Sequence, residues 1–322
     1  MAESELTMQE TNQAAAVIDA VCKRIIGQKQ VVKEAFAAIL VSGHILFEDI
    51  PGTGKTTLAN TIARVLGLSF QRIQGTPDLL PSDITGTLVL NPTQGDFSFR
   101  KGPIFTQLLL MDEINRATPR TQSALLEAMA ERQVSVDGVT YTLEAPFCVM
   151  ATANPIESQG VFPLPEAQLD RFLVQLKLGY VTADEELEMV FRHTVPPVMP
   201  EPILSAMDLL ELQNKVQKVK IHSDVLTYLV HLCRATREDS EVLLGASPRA
   251  IVALSHFVRA MAWIEGRDFV TPDDVQTAIK PILRHRIVFR NWSSTDSEEQ
   301  FQQFIDRIVD HVPVPTEWEY SE

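Results

Sequence analysis

The run His44-Ile-Leu-Phe-Glu-Asp-Ile-Pro-Gly-Thr-Gly-Lys-Thr56 constrains this chain more than any other stretch. An apolar strand over 45–47 runs into a glycine-rich turn, and a helix begins near Lys55. Such a turn lets several backbone N–H groups converge on one anion, while the helix N-terminus adds unpaired donors and partial positive charge. Gly52 and Gly54 supply backbone angles that a side chain would resist. The stretch Pro51-Gly52-Thr53-Gly54-Lys55-Thr56-Thr57 is therefore a candidate triphosphate cradle. Lys55 is expected to reach the β- and γ-phosphates and the Thr56 hydroxyl to ligate Mg²⁺. Leu58, Ile62, Val65 and Leu66 continue at helical spacing, and Gly67 stops the helix. The first glycine of the longer pattern is replaced by Asp49. A carboxylate aimed at phosphates would repel them, so this side chain is expected to point out of the loop.

With 322 residues, 45% of them apolar and 22% charged, the chain has the size and balance of one large or two smaller globular domains. No apolar run approaches the ~18–20 residues that cross a bilayer. The polar start, 1–13, does not resemble a secretory signal, so a cytoplasmic location without membrane insertion is expected. Cys22, Cys148 and Cys233 have neither metal-ligand spacing nor a disulfide framework, and read as packing residues. A net charge of −14 argues against general nucleic-acid binding, which depends on Lys and Arg neutralising phosphates. The local cluster Arg284, His285, Arg286 and Arg290 then reads as a solvated helix face or a set of intersubunit ion pairs.

Residues 1–180 alternate helices and strands, the signature of a parallel sheet covered on both faces. A helix is predicted over 31–41 and strands over 45–47, 69–74, 108–111, 147–152 and 171–178. Thr118 and Pro119 open a further helix as N-cap and first-turn residue. Asp137-Gly138 between alternating strands predicts a hairpin over 134–143, and 86–100 reads as a second hairpin around 92–96. Beyond about residue 180 the strand signals vanish. Capping boxes at Thr182/Glu185 and Ser205/Asp208 and a helix start at Thr271-Pro-Asp-Asp274 remain. Leu226, Leu229, Val230 and Cys233 are expected on one buried helix face, as are Ile251, Leu254, Val258 and Met261. Pro281 is expected to end or kink its helix. The acidic end of the chain keeps Phe301, Phe304, Ile305, Ile308 and Val309 at helical spacing, so it is expected to pack. Prolines 196, 197, 200 and 202 place a domain junction at 195/196.

Asp112-Glu113 ends the apolar run Leu108-Leu-Leu-Met111. Phosphoryl transfer to water needs a metal ion on the β- and γ-phosphates and a water aligned for in-line attack. Asp112 suits the metal, through its water shell, and Glu113 suits the water. Asn154 ends the next strand and can position that water or a γ-phosphate oxygen. Arg171 in Leu-Asp-Arg-Phe and Arg249 in Gly-Ala-Ser-Pro-Arg-Ala can complement charge on the transferring group; as bare sequence each reads first as a salt-bridge partner. No histidine pair has ligand spacing, and His44 and His256 read as satisfied core groups. Met150, Met261 and Trp263 read as packing residues. Ser247 has no evident base.

Taken together, Asp112-Glu-Ile-Asn-Arg-Ala117, Thr121-Gln-Ser-Ala-Leu-Leu-Glu-Ala-Met129 and Phe162-Pro-Leu-Pro-Glu-Ala-Gln-Leu-Asp-Arg-Phe172 resemble the MoxR family of AAA+ ATPases over nearly the whole chain. The resemblance implies an α/β fold: a P-loop AAA+ core, its parallel sheet between helices, followed by a smaller all-α lid. It implies Walker A at Gly52, Gly54, Lys55 and Thr56, Walker B at Asp112 and Glu113, and sensor 1 at Asn154. An arginine finger at Arg171 and a sensor 2 arginine at Arg249 follow in the same way. Gly27 and Gln28, in Ile26-Gly27-Gln28, would contact adenine, the 86–100 hairpin would be the helix-2 insert, and the Asp137-Gly138 hairpin the presensor element. Asp49 and Ala153 depart from the commonest forms of their motifs.

The function so implied is Mg²⁺-dependent ATP hydrolysis in a homo-oligomeric ring, expected to be a hexamer. That hydrolysis would remodel or activate client proteins bearing von Willebrand factor A domains, or metalloenzymes. Two alternatives belong to other classes: a nucleotide-gated ring-forming binding module with little turnover, and a nucleic-acid motor, which the acidic balance disfavours. Asn214-Lys215-Val216-Gln217 lacks the acidic residue that guanine recognition would need, and no acceptor pocket for small-molecule phosphoryl transfer is evident.

Overall fold

The computed structural model describes residues 8–48, 52–91, 96–154, 160–193, 199–290 and 298–315. Asp49, Pro51, the tip of the 86–100 hairpin, and Pro196 and Pro197 of the expected junction lie outside the described residues. Helices α1 (Met8–Cys22) and α2 (Lys29–Leu40) lead into β1 (Ile45–Glu48), and α3 (Lys55–Val65) follows the phosphate turn. Next come β2 (Phe70–Gln74), the short α4 (Pro81–Thr85), and a ribbon of β3 (Gly86–Asn91) and β4 (Asp96–Lys101). Strand β5 (Leu108–Asp112), α5 (Pro119–Glu131), a second ribbon of β6 (Gln133–Val136) and β7 (Val139–Thr142), and β8 (Cys148–Ala153) continue the core. The short α6 (Glu166–Leu169) and β9 (Val174–Leu176) complete it.

Five parallel strands order as β2-β5-β8-β1-β9. Burial on both faces requires continuous apolar runs rather than alternation, and every residue of β5 is buried. On one face, α1, α2 and α3 share a hydrophobic core with the later helices. On the other, α5 packs with Ile73, Ile84, Ile104 and Phe147 in a separate core. The C-terminal ends of β1, β5 and β8 meet at one edge, where open parallel sheets bind ligands. Helix α5 starts as expected, with Thr118 Oγ1 accepting from Thr121 N at 3.4 Å and Pro119 in its first turn. The Asp137-Gly138 turn has φ of 51° and 79°, both positive as a two-residue hairpin turn of type I′ requires.

The remaining helices are α7 (Ala183–His193), α8 (Ala206–Val216), α9 (Ser223–Glu238), α10 (Pro248–Ile264), α11 (Pro272–Leu283) and α12 (Glu298–His311). Capping boxes at Ser205/Asp208 and Thr271/Asp274 start α8 and α11. Phe301, Phe304, Ile305 and Ile308 of α12 are buried, so the acidic terminal helix packs as its periodicity implies. Cys148 and Cys233 are buried, and burial pushes both thiols up to about 12, which keeps them inert. Cys22 is only partly buried.

Several expectations are corrected. Strands do not vanish after 180: β10 (Val242–Leu244) and β11 (Val288–Phe289) form an antiparallel pair. The strand expected over 171–178 contracts to 174–176; at its start the carbonyls of Phe172 and Leu173 accept from lid side chains instead of a ladder. The buried face of α9 is Val225, Tyr228, Leu229, Leu232 and Cys233, one position away from the expected stripe, and Leu226 is exposed. Pro281 sits inside α11, which ends two residues later at Leu283. His256 is on the surface rather than in the core. The basic cluster is neither a solvated face nor a set of intersubunit pairs in its inner members: His285 and Arg286 are buried against the core.

Candidate nucleotide site

Gly52 and Gly54 adopt φ of +88° and +89°, and a Cβ built on either would meet nothing within 4 Å. Backbone of this shape with open space before it is what a phosphate cradle requires. Gly54 is the left-handed N-cap of α3 and has no side-chain cap, so the first amides of the helix are available to an anion. A cleft of about 1500 Å³ runs from Gly52, Thr53, Gly54 and Thr57 past Ile25, Ile26 and Gln28 to α7. Gln28 is buried and lines the cleft. Gly27 instead abuts α7: a Cβ there would stand 2.7 Å from the Glu185 carboxylate.

Asp112 and Glu113 emerge from β5 beside the cradle. Thr56 Oγ1 donates to Asp112 Oδ2 at 3.4 Å, so the hydroxyl and carboxylate expected to share a metal are neighbours. Thr152 Oγ1 lies 3.4 Å from Asp112 Oδ1 and accepts from the Glu113 amide at 2.8 Å. Glu113 itself has φ +53°, a left-handed conformation that costs a residue with a side chain roughly 1–2 kcal/mol. That strain is held in place by packing: a Cβ on Gly75 would lie 2.2 Å from the Glu113 carbonyl oxygen. Arg116 Nη1 donates to Glu113 Oε2 at 3.0 Å. Asn154 is buried at the end of β8, and its carbonyl accepts from Asn115 Nδ2 at 3.2 Å. Hydroxyl, two acids and an amide thus stand together at one sheet edge. This donor set suits a hydrated divalent cation and a polarised water, and the cradle suits the triphosphate.

The two arginines stand elsewhere, and neither lines the cleft. Arg171 follows α6, and its Nη1 donates to the Leu126 carbonyl of α5 at 2.7 Å. Arg249 opens α10 with a largely exposed side chain and pairs with Asp170 at 3.3 Å.

Residues 44–174 match the family described as "ATPase family associated with various cellular activities (AAA)", and residues 234–308 match the "AAA lid domain". Chaperone MoxR1 of Mycobacterium tuberculosis is 42% identical over 90% of this chain and 79% of its own length. Protein MoxR of Paracoccus denitrificans is 32% identical over 90% and 93%. The chain belongs to the MoxR family of AAA+ ATPases. A crystal structure of a candidate ATPase from Cytophaga hutchinsonii superposes with a TM-score of 0.87 at 39% identity, covering 97% of this chain and 98% of that one. The MoxR fold, a P-loop AAA+ core with a helical lid, is therefore the fold of this chain.

Within this MoxR site some neighbours were not visible in the sequence. Arg72 on β2 donates from Nε to Asp112 Oδ2 at 2.6 Å and from Nη2 to Gln74 at 3.4 Å. A lone arginine two residues before the end of a short strand was its signal, but only strand order shows which carboxylate it meets. Thr152, the hydroxyl within a buried strand, and Asn115, whose buried Oδ1 has no protein partner among the described residues, were missed for the same reason.

Proposed function

We propose that this chain hydrolyses ATP with Mg²⁺ in a homo-oligomeric ring, expected to be hexameric, and uses the cycle to remodel or activate client proteins. The observation that carries this reading is the meeting of Thr56, Asp112 and Glu113 beside an open Gly52–Gly54 cradle. Lys55 and the α3 amides would bind the phosphates, with Thr56 and Asp112 holding the magnesium. When bound, that ion would neutralise charge building on the phosphates. Glu113 would accept the proton of the attacking water, and Asn154 would orient that water. The Arg171 guanidinium leans on the Leu126 carbonyl of α5 rather than on the Thr56–Asp112 pair of its own chain, and it would be offered to the site of a neighbouring copy; Arg249 would complement it from the lid. The core would span 1–195 and the lid 196–322, so a cycle changes the angle between them. A relative named as a chaperone supports protein clients. Clients with von Willebrand factor A domains are the finer form of this proposal.

Phosphate release and nucleotide binding test it together. Lys55→Ala should weaken ATP binding. Glu113→Gln should bind ATP and lower turnover by about 10²–10⁴-fold, the usual range for a general base. Arg171→Ala should bind ATP nearly normally and lose about 10³-fold or more in turnover. Equal turnover in Arg171→Ala and the unaltered protein removes the shared site. Turnover as low in the unaltered protein as in Glu113→Gln leaves a nucleotide-gated binding module. Capture with the ATP-trapped Glu113→Gln form, followed by mass spectrometry, identifies the client class.

A further inference from the structure

The inner members of the basic cluster at the end of α11 have no part in the cycle described above, yet they are among the most heavily bonded side chains in the molecule. Arg286 has a side chain only 3% exposed. Its Nε donates to Asp170 Oδ1 at 2.6 Å, Nη2 to the Phe172 carbonyl at 2.7 Å and Nη1 to the Leu173 carbonyl at 2.9 Å, with a further bond to the Ile282 carbonyl of the preceding helix α11. The His285 ring adds Nε2 to the Phe172 carbonyl at 2.9 Å. Burial and the adjacent Arg286 charge keep that imidazole neutral, so it donates from Nε2. Asp170 also accepts from Arg249 on its second oxygen.

Every core acceptor in this set belongs to 170–173, the segment that contains Arg171. The residue before Arg171 and the two after it are bonded to the turn that follows α11 of the lid, while the Arg171 side chain itself leans on α5. A buried guanidinium needs each of its donors satisfied, and its planar fork fixes the acceptors relative to one another. The segment and the end of α11 are therefore one mechanical piece.

We propose that Arg286 is a positioning residue for Arg171: it ties the arginine offered to the neighbouring copy to the lid of the chain that offers it. Lid movement on one chain's nucleotide then shifts the arginine serving the next chain's nucleotide. This inference rests on the reading of Arg171 as a shared-site arginine, and mixing experiments separate the two. Arg286→Gln and Arg286→Lys remove the fork; each should bind ATP with unchanged affinity and lose turnover by about 10-fold or more, within the 10³-fold or larger loss of removing the finger itself. Each leaves its own Glu113 site intact. Mixing either with Glu113→Gln protomers, which have intact fingers and inactive sites, should restore turnover well above the sum of the separate proteins. Arg171→Ala mixed with the same donor is the control.

Recovery with Arg171→Ala but not with the Arg286 variants overturns the positioning role and leaves the shared site standing. Recovery with neither overturns the shared site, and this proposal with it. Weakened ATP binding by a folded Arg286 variant assigns the residue to its own chain's site instead. If neither Arg286 variant folds, as judged by circular dichroism and thermal melting, the guanidinium is a structural support alone and the proposal is withdrawn.

Discussion

His44 sits just before β1, at the end of the sheet opposite the cradle, and is buried. Val149 N donates to its Nδ1 at 3.0 Å, so that nitrogen is bare and Nε2 carries the proton it shares with the Met129 carbonyl at 3.2 Å. Burial, helped by the nearby Arg132 charge, lowers its pKa from 6.5 to about 4. Between those values the unfolded chain binds a proton that the folded chain refuses, so stability falls as pH drops through this window. Above 6.5 the effect is absent, and below about 4 it is constant at about 3 kcal/mol. Urea midpoints of the unaltered protein and of His44→Gln should converge between pH 7 and pH 4, because the amide does not titrate. A gap independent of pH would show that His44 does not titrate as described. At the same scale, the open Gly52–Gly54 turn, the neighbouring Thr56 and Asp112 of the candidate site and the buried His44 were legible in local residue order. Arg72 was not, because a contact between neighbouring parallel strands depends on the order of strands distant in sequence.

Among the elements, long periodic segments were readable and short ones were not. Helix α12 was legible because four apolar side chains recur at helical spacing over fourteen residues. The pair β10–β11, three and two residues long, is too short to show a period. Strand β9 was overread because Phe172 is buried like a strand residue, whereas its carbonyl is taken by the lid. The packing of α12 is testable. Phe304 is 1% exposed and meets Phe289 edge-on, centroids 4.9 Å apart at 87°. Phe304→Ala should therefore destabilise the protein by about 3–5 kcal/mol, whereas the exposed Glu299→Ala should change little. Chemical denaturation reads both, and a loss under 1 kcal/mol for Phe304→Ala would place α12 outside the cooperative fold.

For the whole molecule, the division of labour follows from where charge is spent. The net charge is −14, and two of the cations pair within the chain, the buried Arg286 with Asp170 and the half-exposed Arg72 with Asp112. Copies that carry such an excess of acid repel one another, and that repulsion is screened by salt. Ring assembly of Glu113→Gln with ATP should accordingly strengthen between low and physiological ionic strength, with the larger species visible by sedimentation velocity. A monomer under all these conditions would count against any function that requires a neighbour.

Phe99 of the first ribbon lies nearly flat on Tyr141 of the second, with centroids 4.1 Å apart and planes 22° from parallel. The second ribbon begins directly after α5, and α5 begins six residues after Glu113. Beyond that stacked pair, Leu90 and Phe97 face solvent as cross-strand partners at the outer end of the first ribbon. Two ribbons distant in sequence are thus joined face to face, and removing either ring, as in Phe99→Ala, would free the apolar tip from the ribbon that follows α5.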